Sequence, residues 1–333
     1  MPNPLIFYAK TATVYAAVES TAGTAIADAT LFTAANVLVQ AHDVSMEPKP
    51  ELVARNPDGP SDQSIPDVAG QVPVSLKLSH RLFGSGTAGT APKYGPLWKA
   101  CWLSETIVAS TSVTYAANIY GAPSLTIGIE VLSNDGTVAL RYVASGCGGN
   151  MTFKGDKVEA PLFVSYEFLG AFSLTGGATT TPVGTLTYPA ETATGIRFGQ
   201  FAGTPTGIFA EECDSLEFNR GQKPDMATSV INANGLLYAL PTGGDATIKA
   251  GYRTRAKSVI DALNQYAVGT KFANSVILGT TAGSIFTMST SASAQYKSLA
   301  PKKIGAAQGY EATIGCHRTE TSSASDAFTI AFT

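Results

Sequence analysis

The clearest hydrophobic pattern in the chain is the alternation in VPVSLKLSHRLFG, which begins at Val72. Its apolar side chains, from Val72 to Leu78, fall on one side of an extended chain, and polar or charged side chains fall on the other. This period of two predicts a half-buried strand. After a Gly-rich linker, residues 96–103 (PLWKACWL) carry apolar side chains at helical spacing, with Pro96 where a first helical turn accepts it. The pattern predicts a sheet with one helix packed on it.

Weaker alternation predicts further strands in both halves. The turn residues Asn134-Asp135-Gly136 predict a hairpin. A glycine-rich break is expected at 145–150, and long loops are expected at 54–70 and 221–244. A helix is predicted over 258–268, with Leu263 and Tyr266 among its buried residues. The predicted strands cover residues 5–19, 44–53, 111–116, 124–132, 137–143, 151–154, 161–172, 215–220, 246–253, 272–278, 284–288, 310–317 and 327–332.

The second half of the chain repeats the order of elements in the first half. Strand, long loop, strand and helix recur at an offset of roughly 165 residues, although the residues themselves differ. A Gly/Thr/Pro-rich segment at 173–189 separates the halves. We therefore predict a mainly β protein of two tandem β-sandwich or barrel domains, each with one packed α-helix. The first domain, with an N-terminal arm, covers residues 1–175, and the second covers residues 176–333.

Composition narrows the classes of function. The 333 residues include only 14% charged side chains, and the formal net charge is −3. Low charge with many small residues is typical of an all-β protein whose surfaces are partly covered by assembly, and the acidic balance argues against a surface that grips nucleic acid. The N-terminus lacks the features of a signal peptide, and no apolar run is long enough for a spanning helix, so we expect no membrane association.

The motifs that usually carry chemistry are incomplete. Gly84, Gly86 and Gly89 match GxGxxG, but residues 90–96 intervene before the apolar run of the helix that a dinucleotide would need. Adjacent Cys316 and His317 point to opposite faces of a strand and cannot share a metal ion. No GxSxG motif supports a hydrolase triad. We expect no catalytic residue, cofactor or metal site, and thus no enzyme.

Three segments resemble the tail tube proteins of long-tailed bacteriophages. They are RLFGSGTAGTAPKYGPLWKACWLSET at 81–106, SVTYAA at 112–117, and DGTVALRYVASGCGGNMTFK at 135–154. The family has a strand, a small-residue segment ending in Gly-Pro-Leu, a helix carrying Ala-Cys and a threonine-rich strand. The resemblance covers residues 72–169 and extends to no catalytic residue.

The resemblance implies a structural virion protein that polymerises into stacked rings, assembled in the host cytoplasm. The rings form a tail tube through which phage DNA passes without specific binding, and other tail proteins bind the tube ends. If each chain supplies two domains, three chains make a pseudo-six-fold ring, with six chains as the alternative. Other virion components remain open: a tail terminator, a baseplate or distal tail adaptor, or a capsid decoration protein. A carbohydrate-binding β-sandwich or an unrelated enzyme is the other class.

Two sets of contact residues follow from these expectations. The long polar loop is expected to reach the next ring, and the basic end of strand 246–253 is a candidate intersubunit contact. The loop residues are Asn56, Pro57, Asp58, Gly59, Pro60 and Asp62, and the basic residues are Arg253, Arg255 and Lys257.

Overall fold

The computed structural model describes most of the chain. The described residues are 6–7, 12–38, 40–55, 65–118, 120–157, 159–173, 179–184, 186, 195–210, 213–230, 235–253, 261–304, 307–320 and 326–333.

Strand residues make up 52% of the structure, in several antiparallel sheets that do not close into a barrel. The mainly β prediction is confirmed. The strands of the first half are β1 (Thr13–Val18), β2 (His42–Pro48), β3 (Leu52–Arg55), β4 (Ile65–Ala69), β5 (Pro73–Arg81), β6 (Leu103–Val108), β7 (Ser112–Ala117), β8 (Leu125–Leu132), β9 (Ala139–Gly155) and β10 (Phe163–Phe172).

The second half contains a similar series. Its strands are β11 (Thr179–Thr180), β12 (Cys213–Asn219), β13 (Pro224–Thr228), β14 (Leu236–Pro241), β15 (Thr247–Arg253), β16 (Ser275–Leu278), β17 (Phe286–Thr290), β18 (Gln295–Ile304), β19 (Ala307–Gly315) and β20 (Phe328–Phe332). The helices are α1 (Asp28–Leu31), α2 (Gly95–Ala100) and α3 (Ala262–Val268), and a short 3-10 helix covers Gly207–Ala210.

Eight strands form one continuous path across both halves, in the order β18-β19-β15-β12-β9-β10-β5-β2. Three further strands of the same eleven-stranded sheet lie off this path: β8 pairs with β9 and with β1, and β11 pairs with β9. A second sheet has the order β16-β17-β20-β7-β6, so it too mixes the halves. One face of the eight-stranded path belongs to a core shared with α2 and the second sheet. We call its other face the open face. The predicted domain boundary, between residues 175 and 176, lies outside the described residues.

The two halves repeat the same pairing of strands. In the first half β5 pairs with β2 and β10, and β10 pairs with β9. In the second half β15 pairs with β12 and β19, and β19 pairs with β18. One constant offset in residue number relates the first half to the second half, and it takes Lys77 to Lys249. The same offset takes Leu52 and Ala69, which pair at the base of hairpin β3–β4, to Pro224 and Pro241, which pair at the base of hairpin β13–β14. We call this offset the repeat shift.

Three local predictions are wrong. The expected loops at 54–70 and 221–244 contain parts of the hairpins β3–β4 and β13–β14, which tolerate prolines because their edges lie outside a sheet interior. Strand β9 runs unbroken through 145–150, where Gly146 takes a positive φ of 63° and the pairing with β10 shifts register. The expected hairpin at Asn134-Asp135-Gly136 is confirmed, because β8 and β9 pair on either side of it.

The second predicted helix is present, and its predicted first residues, 258–260, lie outside the described residues. The described helix runs from Ala262, after an N-cap in which the Asp261 carboxylate accepts from the Asn264 N–H, to a left-handed Gly269. Its predicted inner residues Leu263 and Tyr266 are 54% and 42% exposed. The apolar spacing predicted the helix correctly but not its orientation.

A buried chain of hydrogen bonds links α2 to strands β5 and β10. The Nδ1 of His80 lies 2.7 Å from the Arg81 carbonyl oxygen, which can only accept, so Nδ1 carries the proton. The Nε2 of the neutral ring then accepts from the Tyr166 hydroxyl at 2.9 Å. That hydroxyl oxygen accepts in turn from the Trp98 indole N–H at 2.7 Å. Burial lowers the pKa of His80 to about 4, which keeps this arrangement neutral.

We predict that His80 makes the protein less stable as the pH falls from about 6.5 to about 4. The unfolded chain binds the His80 proton first, because its pKa is near the ordinary value of 6.5 whereas the folded pKa is about 4. The full loss is about 3 kcal/mol. Urea unfolding across this pH range should show a steeper pH dependence for the wild type than for His80→Gln, which has no titrating ring. Parallel curves for the two proteins would contradict the prediction.

Candidate assembly interface

Strands β2 and β18 end the eight-stranded path, and each has one neighbour among the described residues. We call them the terminal edges. Their outward backbone groups can pair with a partner strand. Acidic Asp43 and Glu47 lie on β2, and Lys297, Lys302 and Lys303 lie on β18. The two terminal edges therefore carry complementary charge.

The internal junction between the halves shows how such edges can meet. Strand β9 pairs antiparallel with β12 through four residue pairs, from Leu216 opposite Gly155 to Asn219 opposite Thr152. On the buried face Phe153 stacks on Phe218 at 4.8 Å between ring centroids. Because β9 corresponds to β18 and β12 corresponds to β2, this junction is an internal example of β18 pairing with β2 of another copy.

The registers fix which residues of the terminal edges correspond to the junction. On β2 the repeat shift carries Met46 to Phe218 and Glu47 to Asn219, because their neighbours on β5 and β15 correspond. On β18, Pro301 corresponds to Phe153 and Ala300 corresponds to Thr152, through the pairing of β18 with β19 and of β9 with β10. In the register of the junction Met46 would therefore lie opposite Pro301, and Glu47 would lie opposite Ala300.

The buried side of such a pairing would stay apolar. Met46 and Pro301 would stand where Phe218 and Phe153 stack in the junction. Met46 already packs at the margin of the core, whereas Pro301 is exposed in the single chain. Pairing would remove apolar surface of the proline from water, which favours association.

On the open face the pairing would place a lysine near a carboxylate. Lys302 corresponds to Lys154, which lies opposite Glu217 in the junction. The residue opposite Lys302 would be Ser45, and Glu47 would be its diagonal neighbour. Diagonal neighbours across an antiparallel pair are about 7–8 Å apart at their Cα atoms, within reach of long side chains. A lysine and a carboxylate would thus again face each other across the pairing, with the acid moved two residues along its strand.

The proposed pairing would also keep the donor and the acceptor of one side-chain hydrogen bond that the junction contains. The Asn150 side-chain amide donates to the Asn219 side-chain oxygen at 2.9 Å. The corresponding residues are Ser298 and Glu47. A hydroxyl donates readily to a carboxylate, so this diagonal contact would again be matched.

Prolines at both terminal edges remove single backbone donors. In the junction the Arg220 N–H donates to the Met151 carbonyl oxygen at 3.0 Å, and the corresponding residues are Pro48 and Leu299. The pair Pro48–Leu299 would therefore lack this hydrogen bond. The pair Met46–Pro301 would lose the bond from the proline and keep the one from the Met46 N–H.

The open face carries ion pairs on the corresponding lysines of the two repeats. Lys77 contacts Glu167 at 3.0 Å, directly opposite it, and Lys249 contacts Glu311 at 3.1 Å, two residues from the position opposite it. Glu311 also accepts from Lys302 at 3.0 Å. Hydrogen bonds from Lys302 and Lys249 lower the pKa of Glu311, and the hydrogen bond to Glu167 raises the pKa of Lys77. These charges therefore neutralise one another within the chain.

Most of the residues predicted as contacts lie outside the described residues. They are Asn56, Pro57, Asp58, Gly59, Pro60, Asp62, Arg255 and Lys257. Arg253 is described: it is the exposed last residue of β15, opposite Gly309. It does not lie on either terminal edge.

The edge residues Glu47, Ser298 and Lys302 were not among the predicted contacts. The signal that could have found them is the repeat shift, which aligns β2 with β12. The aligned residues differ too much in chemistry for the sequence alone to reveal it.

The described residues include no group of three His, Cys, Asp or Glu side chains placed to hold a metal ion. Among them there is also no helix that is both long and apolar enough to cross a membrane. Comparison with known proteins adds no relative: no family model matches the sequence, and the curated proteins contain no significant match.

We predict that the junction depends on Phe218. This fully buried ring packs on Phe153 and, at 4.9 Å, on Phe328. Phe218→Ala should lower the free energy of unfolding by about 3–5 kcal/mol, because it leaves a cavity between the halves. Phe201→Ala, at a ring that is 42% exposed, is the matched control and should cost about 1 kcal/mol or less. Equal losses in chemical denaturation would contradict this role for the junction.

Proposed function

We propose that this protein is a structural subunit that assembles edge to edge into rings, and that the rings stack into a phage tail tube. The observation that carries the proposal is the match between the two terminal edges and the internal β9–β12 junction. The mainly β fold and the resemblance of residues 72–169 to tail tube proteins support the same function.

Pairing of β18 with β2 of the next copy continues the sheet from chain to chain. A chain contributes eight strands in two repeats of four, so three chains would give six repeats. Ring closure would leave neither terminal edge exposed, which removes the hazard of uncontrolled strand pairing there. We therefore favour three chains in each ring over six.

The open face suits the inside of such a ring. The other face carries α2 and the second sheet, and this bulkier layer requires the larger outer circumference. The channel wall would then bear the Lys77–Glu167 and Lys249–Glu311 pairs, which neutralise one another locally. Neutralised charge on the wall would let DNA pass without holding it. No catalytic step is part of this function.

We predict that Glu47→Cys combined with Ala300→Cys forms disulfides between chains under mild oxidation. The corresponding junction residues, Asn219 and Thr152, are opposite each other but do not exchange backbone hydrogen bonds, a geometry in which Cα atoms lie about 4.5 Å apart. Within one chain the two positions lie at opposite ends of the sheet, about 34 Å apart from seven strand spacings. Any disulfide between them therefore joins two molecules.

A non-reducing gel should show a ladder that ends at three chains. The single variants control for the native cysteines. Glu47→Cys with Lys303→Cys controls for register, because Lys303 lies three residues along β18 and its side chain faces the other side of the sheet. A ladder ending at six would overturn the three-chain ring, and assembly without the disulfide would overturn the pairing register.

Electron microscopy of the purified protein at rising concentration tests the tube itself. Hollow tubes with three-fold end-on averages are expected. Monomers at every concentration would refute the proposal, and single rings that never stack would favour a terminator, adaptor or decoration protein instead.

A further inference from the structure

The hairpin β13–β14 lies across the repeat that precedes it. A Cβ added to Gly148 of β9 would lie 3.2 Å from the Cβ of Ala239. The side-chain amide of Gln71, just before β5, donates to the Gly235 carbonyl oxygen at 3.4 Å. Leu236 and Ala239 are both buried. The hairpin therefore fastens the second repeat to the first repeat.

The hairpin β3–β4 is closed at its base by the same backbone hydrogen bond as β13–β14. The Gly70 N–H donates to the Glu51 carbonyl oxygen, as the Thr242 N–H donates to the Lys223 carbonyl oxygen at the positions given by the repeat shift. Among the described residues β3 and β4 pair only with each other. Leu52 is 63% exposed, whereas the corresponding Pro224 is partly covered. This hairpin has no preceding repeat in its own chain.

We infer that hairpin β3–β4 lies across β18 and β19 of the neighbouring copy, as β13–β14 lies across β9 and β10. The inference rests on the proposed ring, because β18 and β19 become the preceding repeat only when β18 pairs with β2 of the next chain. The partner is thus a second copy of this protein, bound within the same ring.

We call the docking site of the hairpin on the neighbouring copy the seat, and the strand registers identify one residue contact in it. Ala239 corresponds to Asp67 through the repeat shift. Gly148 lies opposite Leu169, and the corresponding pair of the second repeat is Gln295 opposite Gly315. Asp67 is exposed, and Gln295 is partly exposed, in the single chain. The Gln295 amide donates one N–H to the Gly269 carbonyl oxygen and has a second N–H for the Asp67 carboxylate.

Apolar surface on both sides of the seat supports the same partner. Val268, the last residue of α3, directly precedes Gly269 and is 72% exposed. In the first repeat the corresponding place beside Gly148 is taken by Trp102, which is buried next to the hairpin. Leu52 of β3–β4 is also exposed. Docking of this hairpin would cover apolar side chains of both copies.

The inference is tested with full-length Asp67→Cys combined with Gln295→Cys, oxidised under assembly conditions. We expect disulfides between chains, in a ladder that ends at three, because a contact within a ring closes with the ring. Val68→Cys with Gln295→Cys is the matched control and should remain largely uncross-linked. Val68 corresponds to Leu240, which stays exposed beside the internal seat.

The outcomes separate this inference from the ring on which it rests. A ladder extending beyond three would place the hairpin on the next ring and overturn the inference. Loss of the D67C/Q295C disulfide while E47C/A300C still closes at three would overturn the hairpin seat and leave the ring intact. Loss of both disulfides, with monomers by analytical ultracentrifugation, would remove the ring and the seat together.

Discussion

The architecture depends on the short ladder between β9 and β12. Strand β9 is already paired with β8 and β11 at its start and with β10 along most of its length, and only residues from Thr152 to Gly155 also pair with β12. Those four pairs merge two series of strands into one sheet and place a core shared by both repeats beneath it. Because the junction uses one edge of each repeat, it leaves the other two edges, β2 and β18, at the ends of the path.

Strand β9 pairs first with β8 and then with β10, and near Gly146, between the two, its buried polar groups have hydrogen-bond partners. The buried Glu19 carboxylate accepts from Ser124, from Thr126 and from the N–H groups of Gly23 and Gly146. These donors replace the water that the carboxylate loses. Glycines at 146 and 148 then let β14 approach the strand, since a side chain at either position would meet the hairpin.

Alternation along single strands was readable from the sequence, and it predicted the mainly β fold, strand β5 and the hairpin after Leu132. Features that depend on distant partners were not readable. The sequence QYKSLAPKKI of β18 has a proline and three lysines, which indicate a loop until β19 supplies a neighbour. Leu263 and Tyr266 have the spacing of a buried helix face, yet tertiary packing leaves them exposed. The proposed edge contacts were not readable because corresponding residues, such as Glu47 and Asn219, differ in chemistry.

That difference in chemistry is itself informative about the terminal edges. Lysines and prolines on an edge strand discourage pairing with an arbitrary strand, because they introduce charge and remove a backbone donor. A partner fits only if it brings opposite charge and does not depend on the missing donors. In the register of the junction Glu47 would lie diagonal to Lys302, and Pro48 and Pro301 would fall in different residue pairs, so that no pair would contain two prolines. The features that protect each edge from indiscriminate association would thus also select a second copy of the same chain.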